Sequence, residues 1–145
     1  MIQIDRIKSN LLEILKFGGV NILENQIEII DCGCPHLTNI LPVGKKAVYM
    51  FFYDSVCLKI GKVGKKSNAR YNSQHYNPNS SKSNLAKSIL LDNNFPVIIT
   101  NDEIGDWIKN NTQRVNIILD DIFDVFVLNF IEAYLQLMLK PKYEG

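Results

Sequence analysis

Ala47-Val48-Tyr49-Met50-Phe51-Phe52-Tyr53-Asp54-Ser55-Val56-Cys57-Leu58-Lys59-Ile60-Gly61-Lys62 is the stretch that decides the fold. Its two halves, AVYMFFY and VCLKIGK, are rich in β-branched and aromatic residues and flank Asp54-Ser55. That arrangement predicts a β-hairpin. Strand side chains alternate between two faces, so the loop decides which residues share one. Tyr49 and Lys59 share a face only if paired positions sum to an even number. That requires an odd loop, such as Asp54-Ser55-Val56, or a bulge; a two-residue turn alone sets them on opposite faces. With Tyr49 and Lys59 together, Cys57 is expected beside Lys59 as packing.

Outward from the hairpin the pattern alternates between helix and strand. Ile4, Ile7, Leu11, Leu12 and Leu15 recur at helix spacing across residues 3–17, and Gly18-Gly19 supplies a stop. Gln26 to Asp31 alternates like a short strand. Cys32 to Gly44 is punctuated by Gly33, Pro35, Pro42 and Gly44 and predicts a loop. Beyond the hairpin, Asn68 to Gln74 suits one or two helical turns, and Asn77 to Asn84 is a polar loop. Leu85 to Leu91 predicts a helix capped by Ser83 or Asn84. Ile104 to Asn110 suits a short helix, Arg114 to Leu119 a strand, and Ile122 to Leu139 a long apolar helix ended by Pro141.

A chain of 145 residues, 46% hydrophobic and 21% charged, fits one globular domain with a real core. Its 16 basic and 15 acidic residues nearly cancel but are sorted by region. From Ser55 to Leu91 there are Lys59, Lys62, Lys65, Lys66, Arg70, Lys82 and Lys87, and no acid. A one-sign stretch in a neutral protein points to a polyanion; the plainer reading is a solvated lysine-rich face. Met1 leads into Gln3, Asp5 and Arg6 without the order of an export signal. The most apolar run carries Asp124, Asn129, Glu132 and Gln136, which suits a buried helix better than a membrane span. With three cysteines, an odd number, reduced thiols and a cytoplasmic location are expected. Cys32, Cys34 and His36 are too cramped, and lack a second pair, for a structural zinc site.

Four residue types stand out chemically. Glu132 is the single charge between Asp124 and Lys140. Buried there it needs a cation or a metal, and Mg2+ suits one carboxylate with water and phosphate; the plain alternatives are a solvent-facing edge or a bridge to Arg114. Arg70 offers a rigid fork matched to phosphate. Tyr49 reads as core with a wet hydroxyl. Lys59 interrupts an apolar strand, where a lysine near other cations can act as a base.

The order and spacing of these residues resembles the GIY-YIG nuclease family. Ala47-Val48-Tyr49 stands at the first motif and Lys59-Ile60-Gly61 at the second. Arg70 falls at the arginine position, and Glu132-Ala133 followed by Pro141-Lys142-Tyr143 at the metal-binding and closing motifs. The likeness spans Ala47 to Gly145. Lysine in place of the second-motif tyrosine leans toward the restriction-type branch. One helical turn after the arginine stands Gln74, so His75 is preferred to Tyr71 for the role filled there, and Glu144 replaces a closing asparagine.

The resemblance implies an α+β fold: a three-stranded antiparallel sheet flanked by helices over residues 46–145, with residues 1–45 an extension packed on that core. It implies a Mg2+- or Mn2+-dependent DNA endonuclease of restriction or phage-defence type, acting on double-stranded DNA, with a homodimer one route to specificity. Tyr49, Lys59, Arg70, His75 and Glu132 would be catalytic, and Glu132 the metal ligand. Lys62, Lys65, Lys66, Asn68, Ser83 and Lys87 would contact DNA, with Lys82 nearby. Two readings compete: a non-catalytic module built on a KH-like loop, Ile60-Gly61-Lys62-Val63-Gly64-Lys65, and an inactive member of the same family. A Walker-type loop fails because Lys59 occupies the required upstream glycine position.

Overall fold

The hairpin turn is two residues long. In this computed structural model, which describes residues 3–38, 40–64, 71–80 and 84–143, Asp54 (φ 49°) and Ser55 (φ 64°) both lie in the left-handed region. Such a turn matches the twist of the strands it joins. It joins β2 (Lys45–Tyr53) to β3 (Val56–Val63). Next to it Tyr53 pairs with Val56 and Phe52 with Cys57, but the following pair is Phe51 with Lys59. Leu58 is the extra residue of a β-bulge. From there on, paired positions sum to an even number, and Tyr49 pairs with Gly61. The bulge, and not an odd loop, sets Tyr49 and Lys59 on one face. It also corrects one expectation: Cys57, lying before the bulge, packs on the opposite face from Lys59.

The class is α+β, but the sheet has four strands among the described residues, in the order β1-β4-β2-β3, all neighbours antiparallel. The strand beyond the expected three is β1 (Ile27–Gly33), which pairs with β4 (Gln113–Asp120) from Ile27↔Leu119 to Asp31↔Val115. It comes from the first 45 residues. Its period-two pattern buries Ile27 and half-buries Ile29 on one side.

Two apolar layers cover the sheet. On one face, α1 (Ile4–Phe17) and α4 (Val125–Leu139) pack through Leu11, Leu15, Leu128, Ile131 and Leu135 onto Val48, Met50, Phe52, Ile60, Val115, Ile117 and Leu119. On the other face, α2 (Leu85–Leu91), α3 (Ile104–Asn111) and a 3-10 turn, Gln74–Tyr76, cover Ala47, Tyr49, Phe51, Leu58 and Ile118. α4 begins three residues later than the apolar run because Asp124 caps it, accepting from the N–H groups of Phe126 and Val127. Asn84 caps α2 by accepting from Lys87 N–H at 2.8 Å; the other candidate cap, Ser83, lies outside the described residues.

After α4 the chain crosses the outer edge of β3. Lys142 and Tyr143 donate backbone N–H groups to Cys57 and Leu58 carbonyls at 2.9 and 2.8 Å. Tyr143 then packs against the second layer and donates its hydroxyl to Asp92 at 2.6 Å. The KH-like reading falls here: Ile60 to Val63 is strand, entered from a hairpin and not from a helix. Among the described residues no helix is long and apolar enough to cross a membrane.

Candidate functional site

Gly61 lies in a strand, yet the need for glycine there is spatial. A Cβ on Gly61 would overlap Tyr49 Oη and Cζ and stand 2.8 Å from Cε2. The Tyr49 ring therefore lies flat across its cross-strand partner. Tyr49 is fully buried, ringed by His75 at 4.7 Å and Phe51 at 5.9 Å between centroids.

His75 sits in the 3-10 turn and is 1% exposed. Leu85, the first residue of α2, donates its backbone N–H to His75 Nδ1 at 3.1 Å. This N–H has no partner within its own helix, so the imidazole supplies one. With Nδ1 occupied as an acceptor, the ring proton belongs on Nε2, which donates to Tyr49 Oη at 2.5 Å. Lys59, 3% exposed, projects from β3 on the same face. Tyr49, Lys59 and His75 thus share one face as expected.

The same face holds a residue that the sequence offers only as a possible partner of Glu132. Arg114 is 1% exposed and aligns on β4 with Phe51 of β2. Its Nε donates to Asn116 Oδ1 at 2.9 Å, Nη1 to Tyr76 Oη at 2.8 Å and Nη2 to the Tyr71 carbonyl at 2.6 Å. The guanidinium lies 4.8, 5.2 and 5.6 Å from the ring centroids of Tyr71, Phe51 and Tyr49. Among the described residues no carboxylate lies within ion-pair reach of it. A buried cation without a counter-charge costs several kcal/mol unless hydrogen bonds and aromatic faces offset it. Asn116 Nδ2 donates on to Tyr71 Oη at 3.0 Å and toward Cys32 Sγ at 3.3 Å.

His36 closes the network. The Thr112 carbonyl can only accept, so His36 Nδ1 donates to it at 2.8 Å. Nε2 then accepts from the Tyr76 hydroxyl at 2.9 Å. Burial pushes the His36 imidazole below its ordinary value, with the Thr112 carbonyl pulling the other way. Burial also raises the phenols of Tyr71 and Tyr76 and the Cys32 thiol, each opposed by the Arg114 charge. Both nitrogens of His36 are committed, which removes it from any zinc set with Cys32 and Cys34. The signal for this network was present in RVNIIL: Arg114 and Asn116 occupy alternate positions of a strand whose other face is Val115, Ile117 and Leu119.

Glu132 stands elsewhere. It lies on α4, beside the buried stripe Leu128, Ile131 and Leu135, and accepts from Lys62 Nζ at 2.8 Å. That is the face opposite Tyr49, Lys59 and His75. Two expectations are corrected: the partner of Glu132 is Lys62 rather than Arg114, and the described part of the set does not converge in one pocket. Lys62 is thereby tied to a carboxylate and is not simply a phosphate contact. The halves meet only at edge strand β3, which carries Lys59 to one face and Lys62 to the other. Lys87 is exposed on α2. Arg70, Lys65, Lys66, Asn68, Ser83 and Lys82 lie outside the described residues.

No protein-family model matches the chain, and neither a curated protein nor a solved structure matches it at a significant level.

For a metal, the donors are few. Among the described residues no three His, Cys, Asp or Glu side chains cluster. Glu132 Oε1 is taken by Lys62, leaving Oε2 as one hard oxygen donor. That chemistry fits Mg2+, which takes one or two carboxylates and fills its remaining positions with water and substrate phosphate. It does not fit zinc, which needs three or four protein ligands.

Proposed function

We propose that this chain is a Mg2+-dependent DNA endonuclease that hydrolyses phosphodiester bonds. The observation that carries the reading is the Tyr49–His75 pair: a phenol laid across Gly61, receiving a hydrogen bond from an imidazole whose tautomer is set by a backbone amide. A phenolate at Tyr49 would be stabilised by the Nε2–H of His75 and by the Lys59 charge on the same face. Tyr49 Oη is then the proton acceptor for the attacking water, and the Lys59 charge holds Tyr49 in its deprotonated form before that transfer. Glu132, held by Lys62 on the other side of edge strand β3, would carry the cation, which when bound would neutralise charge on a phosphate that spans that edge. Arg70 is assigned the phosphate from the remaining side. Lys65, Lys66 and Lys87 are assigned phosphate contacts that position the duplex without reading its sequence, and Asn68 and Ser83 further contacts to the DNA.

One observation favours a second reading. Tyr49, Lys59 and His75 are 0%, 3% and 1% exposed, which also suits an inactive relative that binds nucleic acid and uses the same pair as packing. Supercoiled plasmid separates the two. The nuclease reading expects nicking with Mg2+ or Mn2+ and none with EDTA. It also expects a loss of about 100-fold or more in single-turnover rate for Tyr49→Phe, Arg70→Ala and Glu132→Gln, with circular dichroism unchanged. Duplex binding without cleavage under any metal, or full cleavage by Tyr49→Phe, overturns it.

A further inference from the structure

We infer that Arg114 is a positioning residue for the Tyr49–His75 pair, its guanidinium fork clamping both ends of the 71–76 segment so that His75 Nε2 meets Tyr49 Oη. The inference rests on the function proposed above and extends it to a residue that touches no substrate.

The 71–76 segment is short and irregular: Tyr71 and Asn72 are helical, Ser73 is a turn, and Gln74–Tyr76 is a single 3-10 turn. Beyond any bonds within its helical residues, its described backbone bonds are local: Tyr76 N–H to the Ser73 carbonyl at 3.1 Å, then Asn77 N–H to the Gln74 carbonyl at 3.4 Å. Side chains from elsewhere must therefore fix its place. Arg114 grips the Tyr71 carbonyl at one end with Nη2 and the Tyr76 hydroxyl at the other with Nη1. Asn116 adds a second tie at the Tyr71 end through Tyr71 Oη, and holds Arg114 Nε. On the far side α3 comes close: a Cβ on Gly105 would stand 2.7 Å from the Tyr76 carbonyl oxygen. His75 lies between the clamped ends.

The frame of the clamp is the frame of the tyrosine. Arg114 pairs with Phe51, and Asn116 with Tyr49 itself, across β4 and β2. Donor and acceptor of the His75–Tyr49 bond are thus referenced to one sheet. The guanidinium is planar and its donors are fixed relative to each other, so it transmits that reference as a flexible ammonium could not. A neutral residue of similar size would fill the core without burying an uncompensated charge, but it would leave the Tyr71 carbonyl and Tyr76 hydroxyl without these donors.

The test uses the full chain with 15N-labelled histidine. There are two histidines, so His75→Asn assigns both imidazoles. In the parent protein the His75 proton is expected on Nε2 with slow solvent exchange. Arg114→Lys keeps the charge and loses the fork. It is expected to speed that exchange by about tenfold or more, and to lower single-turnover cleavage by about 100-fold with DNA affinity within about threefold, as a small misplacement of a reacting group does. A folded Arg114→Lys protein with the parent's His75 spectrum and cleavage rate overturns the inference. If Arg114 variants do not fold, Tyr76→Phe decides, since it removes one arm of the clamp together with the His36 hydrogen bond, and His36→Gln, which removes only the latter, is its control: an unchanged His75 spectrum in Tyr76→Phe overturns the inference, and faster exchange there but not in His36→Gln supports it. A parent protein that cleaves nothing defeats the nuclease reading, while the His75 spectrum still decides the clamp.

Discussion

Gly61→Ala asks whether the contact between β2 and β3 is what the geometry says it is. In a strand with ordinary backbone angles, alanine for glycine should stabilise by about 0.5–1 kcal/mol, because the unfolded chain loses freedom. Here the new methyl would overlap Tyr49 Oη and Cζ. The ring cannot swing away, since it is fully buried between Phe51, His75 and the Arg114 guanidinium. Overpacking of this kind costs about 1–3 kcal/mol, and losing the His75–Tyr49 hydrogen bond adds about 1 kcal/mol. Set against the glycine gain, the expected net destabilisation is about 1–3.5 kcal/mol, opposite in sign to the glycine effect alone. With a urea m-value of about 1–3 kcal/mol/M, the midpoint should fall by about 1–2 M. The fluorescence of the single tryptophan, Trp107, reports the transition. Tyr49→Leu supplies the control, because leucine lacks the atoms the methyl meets. In that background Gly61→Ala should cost less than about 1 kcal/mol, a coupling of at least about 1 kcal/mol. A midpoint within error of the parent, or an equal cost in both backgrounds, refutes the contact.

Three further outcomes follow from the charged and titrating groups. The Tyr143 hydroxyl and Lys142 hold the Asp92 carboxyl at about 2, below its unfolded value; its contribution to stability is therefore complete above about pH 4 and lost as pH falls toward 2, and Asp92→Asn should flatten the fall in Tm over that range. His36 has its folded value below 6.5, so as pH drops through 6.5 the unfolded chain takes the proton first and stability declines; His36→Gln should remove that part of the slope in a Tm series. The Lys62–Glu132 pair is partly exposed, at 37% and 17% of the side chains, so Lys62→Met should change urea stability by about 1 kcal/mol or less; a loss of several kcal/mol would mean that the pair is a structural keystone rather than a poised carboxylate.

Local pattern carried much of the fold. The hairpin follows from two β-rich runs around Asp54-Ser55, and α1 from five apolar residues at helix spacing. The start of α4 was misread by three residues because Ile122 and Phe123 are as apolar as the helix they precede, and only the Asp124 cap marks the boundary. The alternation of Gln26 to Asp31 marks β1 as a strand but not as part of the sheet, since its pairing with β4 joins segments far apart in sequence. The buried network was hidden for the same reason. Apart from the Arg114–Asn116 bond, its bonds join residues 38 to 84 positions apart, and a single sequence displays a polar residue without displaying its partner. Glu132 shows the limit most plainly: its need for a cation was legible, but the choice of Lys62 over Arg114 depends on which face each strand residue takes.

That choice is made by one residue. If Leu58 were paired with Phe51 instead of bulged, the register near the turn, Phe52 with Cys57 and Tyr53 with Val56, would continue along the strands. Ile60 would then stand opposite Tyr49, and its side chain would occupy the space the phenol now crosses. Lys62 would project to the Tyr49 face, away from α4 and Glu132. Lys59 would enter the apolar layer formed by α1 and α4, where Met50, Ile117 and Leu135 offer a charge nothing. The bulge reverses all three. It puts glycine under the ring, sends Lys62 to the carboxylate and brings Lys59 to the side of Tyr49 and His75. The tail that follows α4 bonds to the carbonyls of Cys57 and Leu58, at the bulge itself, so the irregularity is held from outside the sheet as well as within it. Both halves of the candidate site therefore depend on Leu58 standing outside the ladder, and neither is assembled if Leu58 pairs within it.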